Sequence, residues 1–430
     1  MTPAARLSAA IDILAGIADL RTPVGEALKD WGRRNRYAGA KDRTAIASLI
    51  YDALRTRASS AWIMGEDSAR ATMLGALKRA RQMDVEAIAR LCSGERYAPA
   101  PLTDEERARL ADASLDGAPD HVQGDYPEWL APHFARAFGA DAVAEGRALA
   151  QRAPVDLRVN LLKTTREKTL AELAHLDPHP TAFSPLGLRI AVSGDGRGPA
   201  LSAEPAYVKG LVEVQDESSQ LAALIAAPQA GEQVLDLCAG GGGKTLALAS
   251  LMGNSGQIYA TDADGRRLMP IYERLERSGA RNVQVRVPRG KSDILQDLEG
   301  RCDLVLVDAP CTGVGTWRRN PDAKWRIRPG ALEQRMQDQE RVLERAAKYV
   351  KPGGKLVYVT CSLLPEENDD RIADFLDEHS EFSGVDMPEA TRAAGLGALA
   401  ERSDFGAHGV TLRPSRIGAD GFYVCAMRRA

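Results

Sequence analysis

The sequence predicts an α/β chain whose second half builds a mostly parallel sheet covered on both faces, preceded by an all-helical domain and a small α/β linker domain. Three observations carry this. From residue 226 onward short apolar runs alternate with helical periodicity, the pattern of a parallel sheet buried on both sides. The stretch Val234–Thr245, VLDLCAGGGGKT, passes from an apolar run through four glycines into a helix, so strand, tight turn and helix follow in that order. Residues 1–95 show helical spacing and few strand-like runs.

Taken in order, Leu7, Ile11, Leu14 and Ala18 share one helical face, and Ile46, Leu49, Ile50, Ala53 and Leu54 share another, which predicts a helical bundle over 1–125. Between Tyr97 and Tyr126 the composition shifts to Pro, Asp and Gly, with a capping box Thr103-x-x-Glu106, and reads as a connector. An amphipathic helix at Trp129–Phe138 and strands at Leu157–Leu161 and Leu186–Val192 form the linker domain, 126–225. The last domain, 226–430, takes strands at Val234–Cys238, Gln257–Thr261, Val283–Val287, Asp303–Val307 and Lys355–Thr360, with a long helix Ala331–Val350 before the fifth. Ser383–Gly409 reads as an insertion or flexible loop, and Val410–Arg413 with Gly421–Met427 as a closing antiparallel pair.

At 430 residues the chain exceeds one compact core. Its 44% hydrophobic and 27% charged residues are those of an ordinary globular protein. No apolar run is long enough to cross a bilayer, and Asp12 and Asp19 interrupt the alanine-rich start, so no membrane partner and a cytoplasmic location are expected. Six cysteines without C-x-x-C spacing argue against a disulfide framework and against a metal site. The net charge is −3, yet residues 1–100 carry 16 Lys+Arg against 11 Asp+Glu, a net of +5 suited to phosphates.

Counting tests the glycine loop. A phosphate loop of the form G-x-x-x-x-G-K-[ST] needs glycine where Cys238 stands, and a G-x-G-x-x-G fingerprint needs it at Thr245 or Leu246. Neither pattern holds. What remains is a backbone turn able to approach a cofactor closely, with Asp262 at the end of the second strand placed to accept hydrogen bonds from a ribose.

The fourth strand ends in Asp308-Ala309-Pro310-Cys311 and the fifth in Thr360-Cys361-Ser362. If the two strands are neighbours, both thiols and a carboxylate face the crevice beyond the sheet's carboxyl edge. A free cysteine is usually a small core hydrophobe. Two of them past adjacent strand ends, beside an aspartate, instead suit methylation at pyrimidine carbon 5. A thiolate adding to carbon 6 makes carbon 5 nucleophilic, a carboxyl group at ring nitrogen 3 stabilises developing charge, and a second thiol assists release. Lowering of the thiol pKa by the site is expected.

DLCAGGGGKT, VDAPCTGVGTWRRNPDAKW and VTCSLLPEEN resemble the cofactor-loop, fourth-strand and fifth-strand motifs of the Nop/Sun family of RNA cytosine-5 methyltransferases. Arg158-Val159-Asn160, the stretch 214–219 (VQDESS) and 418–423 (GADGFY) are similar to further signatures of that family. Residues 1–140, through Arg43 and Leu49–Arg57, are similar to the helical RNA-binding domain of NusB, which is fused to the bacterial member acting on small-subunit ribosomal RNA. The resemblance implies a Rossmann-like class I methyltransferase sheet and S-adenosylmethionine as cofactor, bound by Cys238, Ala239, Gly240, Gly241, Gly242, Gly243 and Lys244 and by Asp262. It implies Cys361 as nucleophile, Cys311 as the residue assisting release, and Asp308 beside cofactor and base. DNA cytosine methyltransferases instead attack with the cysteine of the Pro-Cys motif, here Pro310-Cys311, so the residues alone leave the two thiols' roles open.

Two departures stand out. Gly240-Gly241 replace the family's Ala-Pro, which adds backbone freedom. After the third strand, where an acidic residue normally holds the adenine, the chain reads Val287-Pro-Arg-Gly-Lys-Ser-Asp293, leaving Asp293 from a shifted position or Arg289 in its place. Trp317–Arg328, WRRNPDAKWRIR, has five cations, one anion and two tryptophans, which suits stacking and phosphate contact with single-stranded RNA, its target cytosine flipped out. The expected partner is therefore RNA, ribosomal in the first instance, acted on by a monomer. The competing readings are a tRNA or DNA methyltransferase and a non-catalytic RNA-binding assembly factor.

Overall fold

The computed structural model describes residues 1–17, 21–192, 198–288 and 293–430; Ala18, Asp19 and Arg289 lie outside the described residues. The chain packs as two compact units. One comprises Met1–Arg152 with Trp317–Arg328, the other Ala153–Val192, Gly198–Thr316 and Pro329–Ala430.

The first unit is helical. Its helices start where side chains satisfy free N–H groups: Thr2 accepts from Ala5 N, Ser68 from Ala71 N, Asp84 from Ala87 N, and Thr103 with Glu106 forms a capping box on Asp104–Asp112. Leu7, Ile13, Ile46, Ile50, Leu74 and Ile88 bury one face of each helix in a common core. Leu102 and Leu110 join it, so the stretch expected to be a connector is packed. Tyr126 stacks on Phe134 at 4.2 Å between ring centroids, and Phe134 on Trp317 at 6.1 Å. These rings pack Ala131–Phe138 within the helical unit, which runs to Arg152.

The segment Trp317–Arg328 departs from its expected role in stacking on RNA. Trp317 is 1% exposed, and the Trp325 Nε1–H donates to the Leu54 carbonyl at 2.6 Å while Lys324 and Arg57 cover its ring. Buried indoles gain more from packing than exposed ones, so both tryptophans serve the helical unit.

The second unit holds two sheets. In the smaller, β1 (Val155–Val159), β2 (His179–Pro180), β3 (Gly187–Ile190) and β4 (Val212–Val214) pair antiparallel in the order β2-β3-β1-β4. The larger contains β5 (Gln233–Asp236), β6 (Gln257–Ala260), β7 (Val283–Val285), β8 (Cys302–Asp308), β9 (Val350–Thr360), β10 (Phe382–Gly384), β11 (Asp404–Phe405), β12 (Val410–Leu412) and β13 (Phe422–Arg429). Its order is β11-β12-β13-β9-β8-β5-β6-β7, with β10 on β13. Strands β5 to β9 pair parallel, and β13 joins β9 antiparallel.

Alternation of side chains explains the two covered faces. Leu304 and Leu306 enter one core with Val357 and Val359, while Val305 and Val307 enter the opposite core with Leu356 and Tyr358. Each such aliphatic side chain contributes about 1.5–3 kcal/mol on burial. Because β6 and β8 flank β5, the order reverses at β5, and the crevice beyond β5 and β8 is the switch point where such sheets bind ligands. The expected flexible loop at 383–409 is ordered instead. It forms helices Met387–Ala393 and Gly397–Ala400, and Met387, Leu396 and Leu399 fill the sheet core. Among the described residues no helix is long and apolar enough to cross a membrane.

Candidate active site

The glycine turn after β5 is held by its carbonyls. Gly240 and Gly242 adopt φ of +49° and +82°, and a Cβ on Gly242 would stand 2.4 Å from Ile271 Cγ1, so only glycine fits there. Arg158 donates to the Gly243 carbonyl at 2.8 Å, and Arg274 to the Gly241 carbonyl at 2.6 Å. Arg274 is anchored on Glu213, and Arg158 on Gln215. The Gly240 N–H donates to Asp262 Oδ2 at 3.1 Å.

Arg158 lies on β1 and Gln215 just after β4, which gives two of the short upstream motifs a physical purpose: they brace the turn from the neighbouring sheet. Asn160 Nδ2 bridges the Gly210 and Ser278 carbonyls at 2.8 Å each. The Ser218 hydroxyl donates to the Asp420 carbonyl at 2.7 Å, joining 214–219 to 418–423.

Charge around the turn is mixed. Asp236 is fully buried; the Thr245 hydroxyl donates to its Oδ2 at 2.6 Å, and its Oδ1 has no hydrogen-bond partner. Burial, opposed by the Thr245 hydrogen bond and reinforced by nearby Asp308 and Asp262, raises this carboxyl to about 7. Lys244, itself buried, pairs with Asp308 Oδ2 at 2.7 Å and lies 5.0 Å from the Phe422 ring. Asp262 is buried with Arg267 at 3.4 Å. The carboxylates of Asp262 and Asp308, with the Oδ1 of Asp236 that has no partner among the described residues, are acceptors that fit a ligand bringing hydrogen-bond donors, as a nucleoside with ribose hydroxyls and an amino group does. Burial, with the neighbouring carboxylates, pushes the Cys238 thiol up, and its half-buried side chain packs against the sheet core.

Asp293 is not brought to this group. It accepts from its own Leu295 N–H at 3.0 Å, faces Arg345 at 3.8 Å, and lines a separate cleft with Glu344 and Tyr349.

The two thiols do meet. Strands β8 and β9 are parallel neighbours with Asp308 opposite Val359, so Cys311 and Cys361 leave adjacent strand ends. Their sulfurs are 3.3 Å apart, and neither is sealed in the core. The expected lowering of pKa does not apply to Cys311: its hydrogen bond to Cys361, with burial, pushes the thiol well above its usual range, and either sulfur can donate in the pair.

Glu367 locks the two turns together. Its Oε1 accepts from the Thr312 N–H at 2.8 Å and from Gln339 Nε2 at 3.0 Å, while Oε2 accepts from the hydroxyls of Thr312 and Ser362. Thr312 follows Cys311 and Ser362 follows Cys361, so one buried carboxylate fixes both thiol-bearing turns. Glu367 was not among the residues the sequence singled out. The signal lay in PEEN four residues after Cys361, where an acid follows a short apolar run.

The sequence pattern of 16S rRNA methyltransferase RsmB/F matches residues 223–428, and that of the RsmF/B-like ferredoxin-like domain matches 126–195. A probable ribosomal RNA small subunit methyltransferase B from Synechocystis is 34% identical over 323 residues, covering 72% of this chain and 68% of the relative. The chain belongs to the RsmB/F methyltransferase family. The ribosomal RNA small subunit methyltransferase B of Sodalis glossinidius, 34% identical over 333 residues, covers 77% of this chain and 70% of the relative. The solved structure of PH0851 superposes with a TM-score of 0.74 at 25% identity, covering 100% of this chain and 99% of that one.

As an RsmB/F methyltransferase the chain is S-adenosylmethionine-dependent and methylates RNA. The carboxylate acceptors beside the glycine turn agree with the hydroxyl and amino donors of that cofactor.

Proposed function

We propose that this RsmB/F methyltransferase methylates carbon 5 of a cytosine in 16S ribosomal RNA through a covalent adduct with Cys361. The observation that carries the reading is the 3.3 Å approach of Cys311 and Cys361 at the carboxyl edge of β8 and β9. S-adenosylmethionine supplies the methyl electrophile. The backbone of 238–244 and the Asp262 carboxylate would hold it, the latter at the ribose, and Lys244 keeps Asp308 in place beside it.

Cys361 Sγ, as thiolate, would form a bond to carbon 6, and the carbon 5–carbon 6 π electrons would shift to carbon 5. That carbon would take the methyl group as the donor's sulfur–methyl bond breaks and its electron pair stays on the departing neutral thioether. The proton on carbon 5 then leaves to a base, its electron pair restores the double bond, and the sulfur–carbon 6 bond breaks to return the thiolate. Cys311, held as a thiol, donates to Cys361 Sγ and stabilises that leaving sulfur. Asp308, ion-paired with Lys244, offers an acceptor to the exocyclic amine of cytosine.

Substituting each thiol separately tests the assignment. Cys361→Ala is expected to abolish methylation and leave no covalent RNA, whereas Cys311→Ala is expected to accumulate a protein–RNA adduct visible on a denaturing gel. The reverse pattern would exchange the two roles. Bisulfite sequencing of 16S RNA from cells lacking the protein is expected to show one lost cytosine mark; a mark lost from tRNA instead would move the substrate.

A further inference from the structure

The two most exposed tyrosine, tryptophan or phenylalanine side chains among the described residues, Tyr37 at 71% and Tyr97 at 65%, line one cleft in the helical unit. Its volume is ≈ 660 Å³, in the range that takes a small planar ligand; Asp12, Trp31, Asn35 and Arg96 share the wall with Met1 and with Ala5 and Ala9 of the first helix. The contributing stretches are Trp31–Tyr37 (WGRRNRY) and Gly94–Tyr97 (GERY).

The cleft is built rather than incidental. Tyr97 is held at φ +69°, a left-handed backbone that a bulky side chain avoids unless its surroundings impose it. The surrounding turn imposes it: Gly94 N donates to the Pro99 carbonyl at 3.0 Å and Ala98 N to the Glu95 carbonyl at 2.9 Å. Arg96 lies over the Tyr97 ring, its Cζ 4.8 Å from the centroid. On the other wall, the helix Val24–Arg34 ends so that Asn35 Nδ2 donates to the Trp31 carbonyl at 2.9 Å, leaving its Oδ1 acceptor uncommitted. Arg33, Arg34 and Arg36 are exposed beside Tyr37, and Arg36 makes no ion pair among the described residues.

Exposed rings cost free energy in water unless a partner covers them. Met1, Ala5 and Ala9 supply the aliphatic part of the wall, while its exposed rings, arginine and amide are what unpaired nucleotides bind. We propose that this cleft is a single-stranded RNA site. Tyr37 and Tyr97 stack on unpaired bases, Arg36 and Arg96 contact the adjoining phosphates, and Asn35 hydrogen-bonds a base edge. The proposal takes RNA as the polymer from the methyltransferase reading, but it concerns binding and not methyl transfer.

The test uses the full chain and a fluorescein-labelled, unstructured oligouridylate, read by fluorescence anisotropy without methyl donor across a range of salt. The double substitution Tyr37→Ala with Tyr97→Ala is expected to weaken binding about tenfold or more, with the slope of affinity against salt unchanged. Tyr37→Phe with Tyr97→Phe keeps the rings and is expected to bind as the unsubstituted protein does. Arg36→Ala is expected to reduce the salt slope by about one. Full affinity in the alanine pair overturns the proposal and leaves the cleft to a protein partner; equal loss in the phenylalanine pair overturns stacking. Should the alanine pair fail to fold, ultraviolet cross-linking of 4-thiouridine RNA to the unsubstituted chain decides: adducts in 31–37 and 94–97 support the site, and adducts confined elsewhere overturn it. Loss of the cytosine-5 reading would leave these binding results untouched, so the two fail separately.

Discussion

The sulfurs of Cys311 and Cys361 lie 3.3 Å apart on turns that leave adjacent parallel strands. A mild two-electron oxidant such as diamide is expected to join them, the two thiols giving up two protons and two electrons. Activity should fall in step with the loss of two titratable thiols and return with dithiothreitol. Cys92, Cys302 and Cys425 are buried and should not react. Retention of both thiols under conditions that oxidise small dithiols would show that the sulfurs are not neighbours in solution.

Glu367→Gln keeps the shape but replaces an acceptor-only group with one that must also donate. The amide carbonyl can keep the Thr312 N–H and Gln339 Nε2, donors that cannot reverse, only by turning its NH2 to the two hydroxyls, which must then accept, so four bonds to a carboxylate become neutral ones. The loss of stability is expected at about 1–3 kcal/mol. As a positioning residue it should act on kcat, lowering it about tenfold to a hundredfold through misplaced thiols, with KM for S-adenosylmethionine unchanged. A rise in that KM with kcat preserved would contradict this role.

Asp236 carries a pH signature. Burial leads in raising its carboxyl from the ordinary 3.8 to about 7, so the folded chain holds a proton there that the unfolded chain has released. Its favourable contribution is complete below about pH 4 and is lost as pH rises through about 7. Asp236→Asn removes the titration, so its melting temperature relative to the unsubstituted protein should be higher at pH 8 than at pH 5. An offset that does not vary with pH would argue that Asp236 titrates normally.

Arg158→Lys tests the bracing of the glycine turn. Both bonds, to the Gly243 carbonyl and to Gln215, leave the single nitrogen Nη1 at the end of the arginine side chain, and a lysine ammonium, one bond shorter, falls short of them. S-adenosylmethionine affinity, measured by titration calorimetry, should fall about tenfold, one lost charge-assisted hydrogen bond being worth about 1.5–3 kcal/mol. Unchanged affinity would mean that the turn holds its shape without the brace.

Much of the second unit was legible in residue order. Alternating apolar runs marked strands β5 to β9, and the polar residues just past β8 and β9 marked Asp308, Cys311 and Cys361, because strand periodicity and strand ends are local properties of the chain. Other features were not. An acidic residue after β7 looked placed for the cofactor, yet Asp293 faces Arg345, since a loop's direction depends on what it packs against. The tryptophans of Trp317–Arg328 looked fit for RNA, yet Phe134 and the Leu54 carbonyl take them up, partners nearly two hundred residues or more away in sequence.

By itself the sequence determined which segments become strands, which glycines turn the chain after β5, and that two thiols and a carboxylate stand at strand ends. Only the tertiary structure decided that the sulfurs touch, that Glu367 joins their turns, and that Arg158 reaches the glycine turn from a different sheet. The division has a physical cause: side-chain period and backbone sterics act over a few residues, whereas a hydrogen bond between residues fifty or more apart exists only once strand order and packing bring them within 3 Å or so.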